Sequence, residues 1–401
     1  MRKQSFCWMA IAVLLCSCGG KTTRQEVEDE IISPRMIDLS EVRYSDTPQL
    51  LSAFVDSIEY IRISDTLLIP DLRKVHLAED AKGNVYLDFD KIYKYTADGR
   101  FVQSLFKIGE GPGEVNAKYE PGIYNMCEHT VWVQKYGEQY SKYTLDGEFV
   151  GSMNRKTGIT NFNLLACWNN GELFRYESDM NPQKGDVVNL DSAYFFKVRD
   201  KNGKIVYQLP NYHFDIKATS PGHGTILTLG GPIDYGEISK SLFWVKPIHV
   251  DTVYCTTDWT DVRPYYIIRK NDKAADYEWY VRMQVGDLTR EAAGKEQLTS
   301  VCAFQSGMLF GYLFDRQQFG VGFCQANGKA GAVSKVFKND VDGYCPSLDM
   351  WQAMGYKMLY PRNGYLYLLV DAFKFFEEGA KSPFADLTED SNPVLVKLKL
   401  K

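Results

Sequence analysis

The sequence predicts an all-β protein, a six-bladed β-propeller closed by its N- and C-terminal strands and carrying a short helical insertion. Three observations predict it. Residues 83–114 read as three short strands with turn chemistry between them: Val85, Leu87 and Phe89 alternate with Tyr86 and Asp88, residues 92–95 form a second run, and 101–105 return after Asp98-Gly99. Such a meander cannot bury its own apolar face and has to stack on others like it. The turn preceding a meander's second strand then recurs, at Gly83, His129, Gly171, Lys240, Gly307 and Gly364, with a mean spacing of about 56 residues. Finally, one alternating strand precedes the first complete unit (57–63) and another follows the last (392–400); together they can complete one blade and leave no open seam.

Taken in order, the chain opens on a targeting segment. Arg2 and Lys3 precede an apolar run, residues 6–15, that is too short to span a bilayer. It ends in Leu15-Cys16-Ser17-Cys18, which resembles the lipobox of bacterial lipoproteins, and this implies a signal peptide over 1–17 and lipid on Cys18. Ordinary secretory cleavage near Ser17 is the alternative. Removal of 1–17 leaves 384 of the 401 residues and takes two positive charges from a formal −5, giving −7. No basic run offers a footprint for nucleic acid. Residues 18–49, with Glu26, Glu28, Asp29 and Glu30 close together, are expected to be a flexible lipid-anchored tether, and 50–401 the propeller.

Within the propeller, the later hairpin turn recurs at Asp98-Gly99, Asp146-Gly147, Asn202-Gly203 and Asn327-Gly328. A four-stranded blade needs about 40–50 residues, so the excess belongs to insertions. One is Gly-rich, 211–236. The other, 272–298, has helical composition, with Tyr280, Met283 and Leu288 near one face and Gly286 splitting the run. Cys127, Cys167, Cys255, Cys302, Cys324 and Cys345 permit disulfides in an exported protein, yet their wide spacing and strand-like apolar surroundings favour mostly free thiols.

The run from Ser57 through the first meander to Ile108-Gly109-Glu110-Gly111-Pro112-Gly113-Glu114, together with the ending from Glu389 to Lys401, resembles the six-bladed β-propeller lipoproteins of Bacteroidetes, relatives in shape of the NHL and TolB propellers. The departure is Lys107-Ile108-Gly109 running straight into Glu110-Gly111, where the family commonly has a further basic residue and a Gln. The resemblance implies fold and export, not a particular activity.

Residues 109–114 match neither phosphate-binding Gly motif and are followed by a strand, so they read as a turn between blades rather than a site. No HExxH or GxSxG is present. His213, Asp215 and His223, at the Gly-rich insertion with Asp234 nearby, are the place where a metal or general-base cluster could assemble. Asp88, Asp90, Asp251 and Asp371, at strand ends, could converge on a channel and bind calcium. Trp279, Tyr280 and Arg282 offer aromatic-plus-Arg chemistry for a ligand, unless Trp279 folds down onto the rim. The function expected is a non-catalytic binding or scaffold lipoprotein of the outer membrane, held by its lipid and taking a protein or glycan ligand. The alternative is a metal-dependent propeller enzyme, lactonase-like or glycan-processing, with its site at the channel mouth.

Overall fold

The computed structural model describes residues 33–69, 71–72, 75–111, 113–116, 121–135, 139–154, 162–169, 171–176, 187–189, 194–210, 215–217, 233–284, 294–314, 318–350, 360–362 and 364–401. They form a nearly all-β fold of small sheets. The first sheet is an antiparallel meander of His76–Glu79, Val85–Asp88, Ile92–Tyr95 and Phe101–Ser104. The second repeats it with Ile123–Asn125, Thr130–Lys135, Gln139–Thr144 and Phe149–Asn154. The third has Phe162–Trp168, Gly171–Tyr176, Tyr194–Asp200 and Ile205–Pro210, and the fourth Ile233–Ser239, Leu242–Pro247, Thr252–Thr256 and Arg263–Arg269. In the fifth, Gln297–Phe304, Gly307–Phe314 and Gln318–Gln325 pair in order. In the sixth, Tyr360–Arg362, Tyr365–Val370 and Val394–Leu400 are joined by Val55–Arg62. Successive meanders of this kind are the construction of a β-propeller.

Local chemistry sets the hairpins. Asp80 Oδ1 accepts the amides of Lys82 and Asn84, both at 2.9 Å, and Asp200 does the same for Asn202 and Lys204. Gly99 sits at φ 83°, and a Cβ there would meet the carbonyl oxygen of Arg62 at 2.1 Å, so this turn requires glycine. The C-terminal strand pairs along its length with the early strand, from Val394 opposite Arg62 to Leu400 opposite Val55. The two strands left over in the sequence thus share one sheet.

The core lies between sheets. Middle strands are apolar on both faces because each face packs on a different neighbour. Leu366, Leu368 and Val370 pack toward Leu309 and Val321 of the fifth sheet, whereas Tyr367 and Leu369 pack toward Leu77 and Leu87 of the first. Tyr86 and Ile92 of the first sheet meet Val131 and Val133 of the second, and Tyr140 of the second meets Cys167 of the third. Leu173 and Phe196 of the third pack on Phe243 and Val245 of the fourth. Trp244 and Tyr266 of the fourth pack on Met308 and Phe310 of the fifth.

The segment before residue 50 corrects the expected tether. Arg35–Asp38 inserts as a parallel strand between Arg263–Arg269 of the fourth sheet and Gly328–Lys329 beyond the fifth. Arg43–Tyr44 then pairs with Ala332–Val333, and Gln49–Leu50 with Phe337–Lys338, both parallel. Ile37 and Leu39 are fully buried among residues of the fourth and fifth sheets, and this burial holds the segment down. The fold therefore begins by residue 35, as a strap along outer strand edges.

Candidate functional site

Within each complete meander the first-to-second and third-to-fourth connections are tight turns, and they share one end of the sheet. Turn ends contact neighbouring sheets: Asn169 donates to the Thr257 carbonyl at 3.0 Å, and Gln103 of the first sheet's outer strand donates to the Asp146 carbonyl in the second sheet's turn at 2.8 Å. The remaining connections leave from the opposite end. Among them are several long ones, 177–193, 211–232, 270–296 and 371–393. The strands thus present these long segments from one end, the usual position for a binding surface.

At that loop end the fourth sheet carries a roof. After Arg263–Arg269 the chain forms helix α1, Tyr277–Gln284. Asp276 caps it, accepting the Trp279 amide at 2.7 Å, and Glu278 pairs with Arg282 one turn on at 2.8 Å. Trp279 is turned inward, only 9% exposed, and packs with Ala275, Tyr280 and Met283. The rings of Trp279 and Tyr280 lie 5.9 and 5.1 Å from that of His249, on the 248–251 connection beneath. Tyr277 packs edge-on against Phe195 of the third sheet at 4.8 Å, so α1 spans toward the neighbouring sheet. Of the three expected ligand-binding residues, Tyr280 and Arg282 are half-buried at the surface, whereas Trp279 supports them from below.

Under the roof lies a buried basic group that the sequence did not announce. Lys246 shares the parity of Leu242 and Trp244 and is 1% exposed. Its ammonium donates to the Pro247 carbonyl at 3.3 Å. Lys270 donates to the Ala275 carbonyl at 2.6 Å and pairs with Asp251 at 2.6 Å, which fastens the start of the roof to the sheet. Burial, then the charges of Lys246 and Lys270, push the His249 imidazole down to about 3, so it is neutral at ordinary pH. Burial likewise holds Lys246 down at about 8, against the opposing pull of Asp234 and the added push of Lys270. The one sequence signal was a lysine ending the apolar run 242–246, which also fits a strand reaching solvent.

This lysine gives a pH prediction with a definite sign. Its folded value lies below the unfolded 10.5. Between about 8 and 10.5 the unfolded chain therefore binds more protons, and stability rises with pH. Below that window the destabilisation is present in full, on the order of 3 kcal/mol. Lys246→Met should flatten the rise when urea unfolding is compared at pH 7.5 and 10. An unchanged pH slope would show that Lys246 is not the group responsible.

The other sequence candidates separate. Asp215 lies in Asp215–Lys217, which pairs with Val187–Asn189, and His213 and His223 lie outside the described residues. Asp88 is fully buried and accepts the Gly122 amide at 2.6 Å, and Asp90 accepts the Lys91 amide at 2.9 Å and the Tyr93 hydroxyl at 3.2 Å. Asp251 serves Lys270, and Asp371 precedes the short helical turn Ala372–Phe375, its carboxyl raised by burial. Among the described residues no group of three or more His, Cys, Asp or Glu stands where it could hold a metal. The six cysteines are free, and Cys127 alone of them is exposed. In the Gly-rich 109–114 segment, Glu114 accepts the Gly111 amide at 3.0 Å and the Gly109 amide reaches the Val115 carbonyl at 3.0 Å, so that glutamate closes its own turn.

Comparison with known proteins places the chain in context. A family model described as a domain of unknown function, DUF4934, matches residues 34–399. Among solved structures the chain is similar to a Bacteroides fragilis protein inferred to be exported, with a TM-score of 0.55 and 11% identity over 91% of this chain and 99% of that one. It is also similar to a member of the DUF4221 family from Bacteroides vulgatus, with a TM-score of 0.48 and 12% identity over 86% and 97% of the two chains. A third is the β-propeller domain of Cps50 (Swd1) from Myceliophteria thermophila, at 0.38 and 7%, over 86% of this chain and 100% of that domain. In sequence the chain matches no curated protein.

Proposed function

The chain belongs to the DUF4934 family, and from that premise we propose that it is an exported, lipid-anchored propeller of six blades that binds a partner without turning it over. The asymmetry of the connections carries the reading. One end of the complete meanders is closed by short turns, and the other bears the long segments 177–193, 211–232, 270–296 and 371–393, among them the roof over the fourth sheet. The six-bladed ring is supported by core packing that passes from each sheet to the next and from the sixth back to the first. Pairing of Val394–Leu400 with Val55–Arg62 supports its closure. Export is supported by the leader-like residues 1–17 and by the likeness to the Bacteroides fragilis protein inferred to be exported. Anchoring to the outer membrane rests on Cys18. The ligand class is a protein or a glycan of the cell envelope, met by the loop end around Tyr280 and Arg282.

Two experiments test this. Cys18→Ala should move the protein from the membrane to the soluble fraction or leave it as precursor, and unchanged fractionation and mobility would remove the anchor. For binding, Tyr280→Ala with Arg282→Ala should lower affinity by tenfold or more in glycan arrays and in crosslinking to envelope proteins, since aromatic and Arg anchors dominate such surfaces. Both side chains are half-buried at the surface, so the fold should tolerate the change. Undiminished binding by the folded variant would take this surface out of the site. Metal-dependent hydrolysis of a lactone or glycan by the wild type would overturn the non-catalytic reading.

A further inference from the structure

The strap covers outer edges on one side of the molecule only. Arg35–Leu50 pairs with strands of the fourth sheet and of the segments following the fifth. Among the described residues, the outer strands of the first three sheets, Phe101–Ser104, Phe149–Asn154 and Ile205–Pro210, end their sheets without such cover. Of the thirteen exposed large apolar side chains among the described residues, five lie on these three strands: Val102, Phe149, Val150, Ile205 and Val206. That concentration marks edges open to another segment.

The third sheet adds charge. Its last hairpin holds Lys197, Arg199, Lys201 and Lys204 against Asp200, whose Oδ1 is occupied by two turn amides. Lys201 and Lys204 are exposed and directly precede Ile205 and Val206, which are 43% and 39% exposed. This basic and apolar patch sits at the turn end. The strap enters at the same end, where Arg35 donates to the Gln305 carbonyl at 2.7 Å and the Met36 amide to Asn327 at 2.9 Å. The third and fourth sheets are neighbours there too, since the Trp259 indole donates to the Trp168 carbonyl at 3.1 Å. The chain preceding Arg35 carries Glu26, Val27, Glu28, Asp29 and Glu30, five to nine residues away. At 3.3–3.6 Å per residue that is a reach of about 17–32 Å. Asp258, on the fourth sheet's turn, disfavours an acidic run there, although Asp261 beside it is paired with Arg263 at 2.9 Å.

We infer that the acidic run 26–30 docks in cis on the turn-end hairpin of the third sheet, its carboxylates on Lys201 and Lys204 and Val27 against Ile205 and Val206. Exposed ion pairs are individually weak. A short linker, however, holds the run at an effective concentration on the order of millimolar, so weak complementary contacts suffice. Docking continues the strap backward around the rim and shortens the free part of the N-terminal segment. It is independent of lipid on Cys18.

The first arm of the test leaves the hairpin unchanged and alters the run, and the second reverses the charge on both. In the full chain, hydrogen exchange of peptides covering 201–210 should be about fivefold to tenfold faster in the triple variant Glu26→Lys, Glu28→Lys, Glu30→Lys than in the wild type. High salt should speed the wild type toward the same rate. Adding Lys201→Glu and Lys204→Glu to the triple variant should restore resistance of the N-terminal run to trypsin, by reversed pairing. Equal exchange in wild type and triple variant overturns the proposal. Protection that grows with protein concentration also overturns it, since the run would then sit on a second copy.

Discussion

Removing residues 393–401 should abolish the stable fold. Val394, Leu395, Val396 and Leu398 have no exposed surface, and their strand pairs with Tyr365–Val370 on one side and Val55–Arg62 on the other. Full burial of an aliphatic side chain contributes about 1.5–3 kcal/mol, so four of them contribute roughly 6–12 kcal/mol. The net stability of a domain is about 5–15 kcal/mol. Loss of the strand also opens two edges and exposes both faces of the sixth sheet to water. The truncated chain should therefore be recovered as aggregate, or lack a cooperative thermal transition. If it melts within a few degrees of the full chain, the sixth sheet is held some other way.

Ile37→Asp should have the next largest effect, because it acts on the strap at its deepest point. Ile37 has no exposed surface and packs among Trp244, Tyr266 and Phe310 at the seam of the fourth and fifth sheets. A carboxylate there loses the apolar contact and is desolvated without a partner, a cost of several kcal/mol. At about 2–4 °C per kcal/mol, the melting temperature should fall by roughly 10 °C or more. Met36→Asp is the control, since Met36 is 41% exposed on the opposite face. It should change melting by a degree or two. Equal effects of the two substitutions would mean that the strap does not hold the seam.

These two experiments fall on parts of the fold that differed in how far the sequence revealed them. The C-terminal strand was legible because alternation over seven residues is a local signal, and because a strand left over at each end leaves few pairings open. The hairpins were legible for a similar reason: Asp98-Gly99 or Asn202-Gly203 carries its turn within itself, and Asp80 and Asp200 cap their own loops. The strap had no such signature. Residues 35–38 are four, with two apolar side chains, and their partners in Tyr266–Arg269 lie some 230 positions on. Parallel pairing at that separation leaves no turn to read. At the loop end, the helix and its aromatic residues could be read, but which ring faces inward is set by His249, which comes from an earlier connection of the fourth sheet. Lys246 was hidden by the same non-locality, since its burial depends on a neighbouring sheet.

The parallel setting of Arg35–Asp38 has a mechanical consequence. A pull on the N-terminal segment arrives at Arg35, at the turn end, and runs along the axis of a strand hydrogen-bonded on both sides. Loaded in that direction, the bonds to Arg263–Arg269 and Gly328–Lys329 resist together in shear, not one after another as in a peeled hairpin. The load is divided between two parts of the molecule, and the cation of Arg35, over the rings of Tyr265 and Tyr266 at 4.5 and 4.9 Å, is the first grip it meets. The loop end lies at the far side of the strands from that point of traction. Tension therefore tends to align the molecule with its loop end leading away from whatever holds its tail.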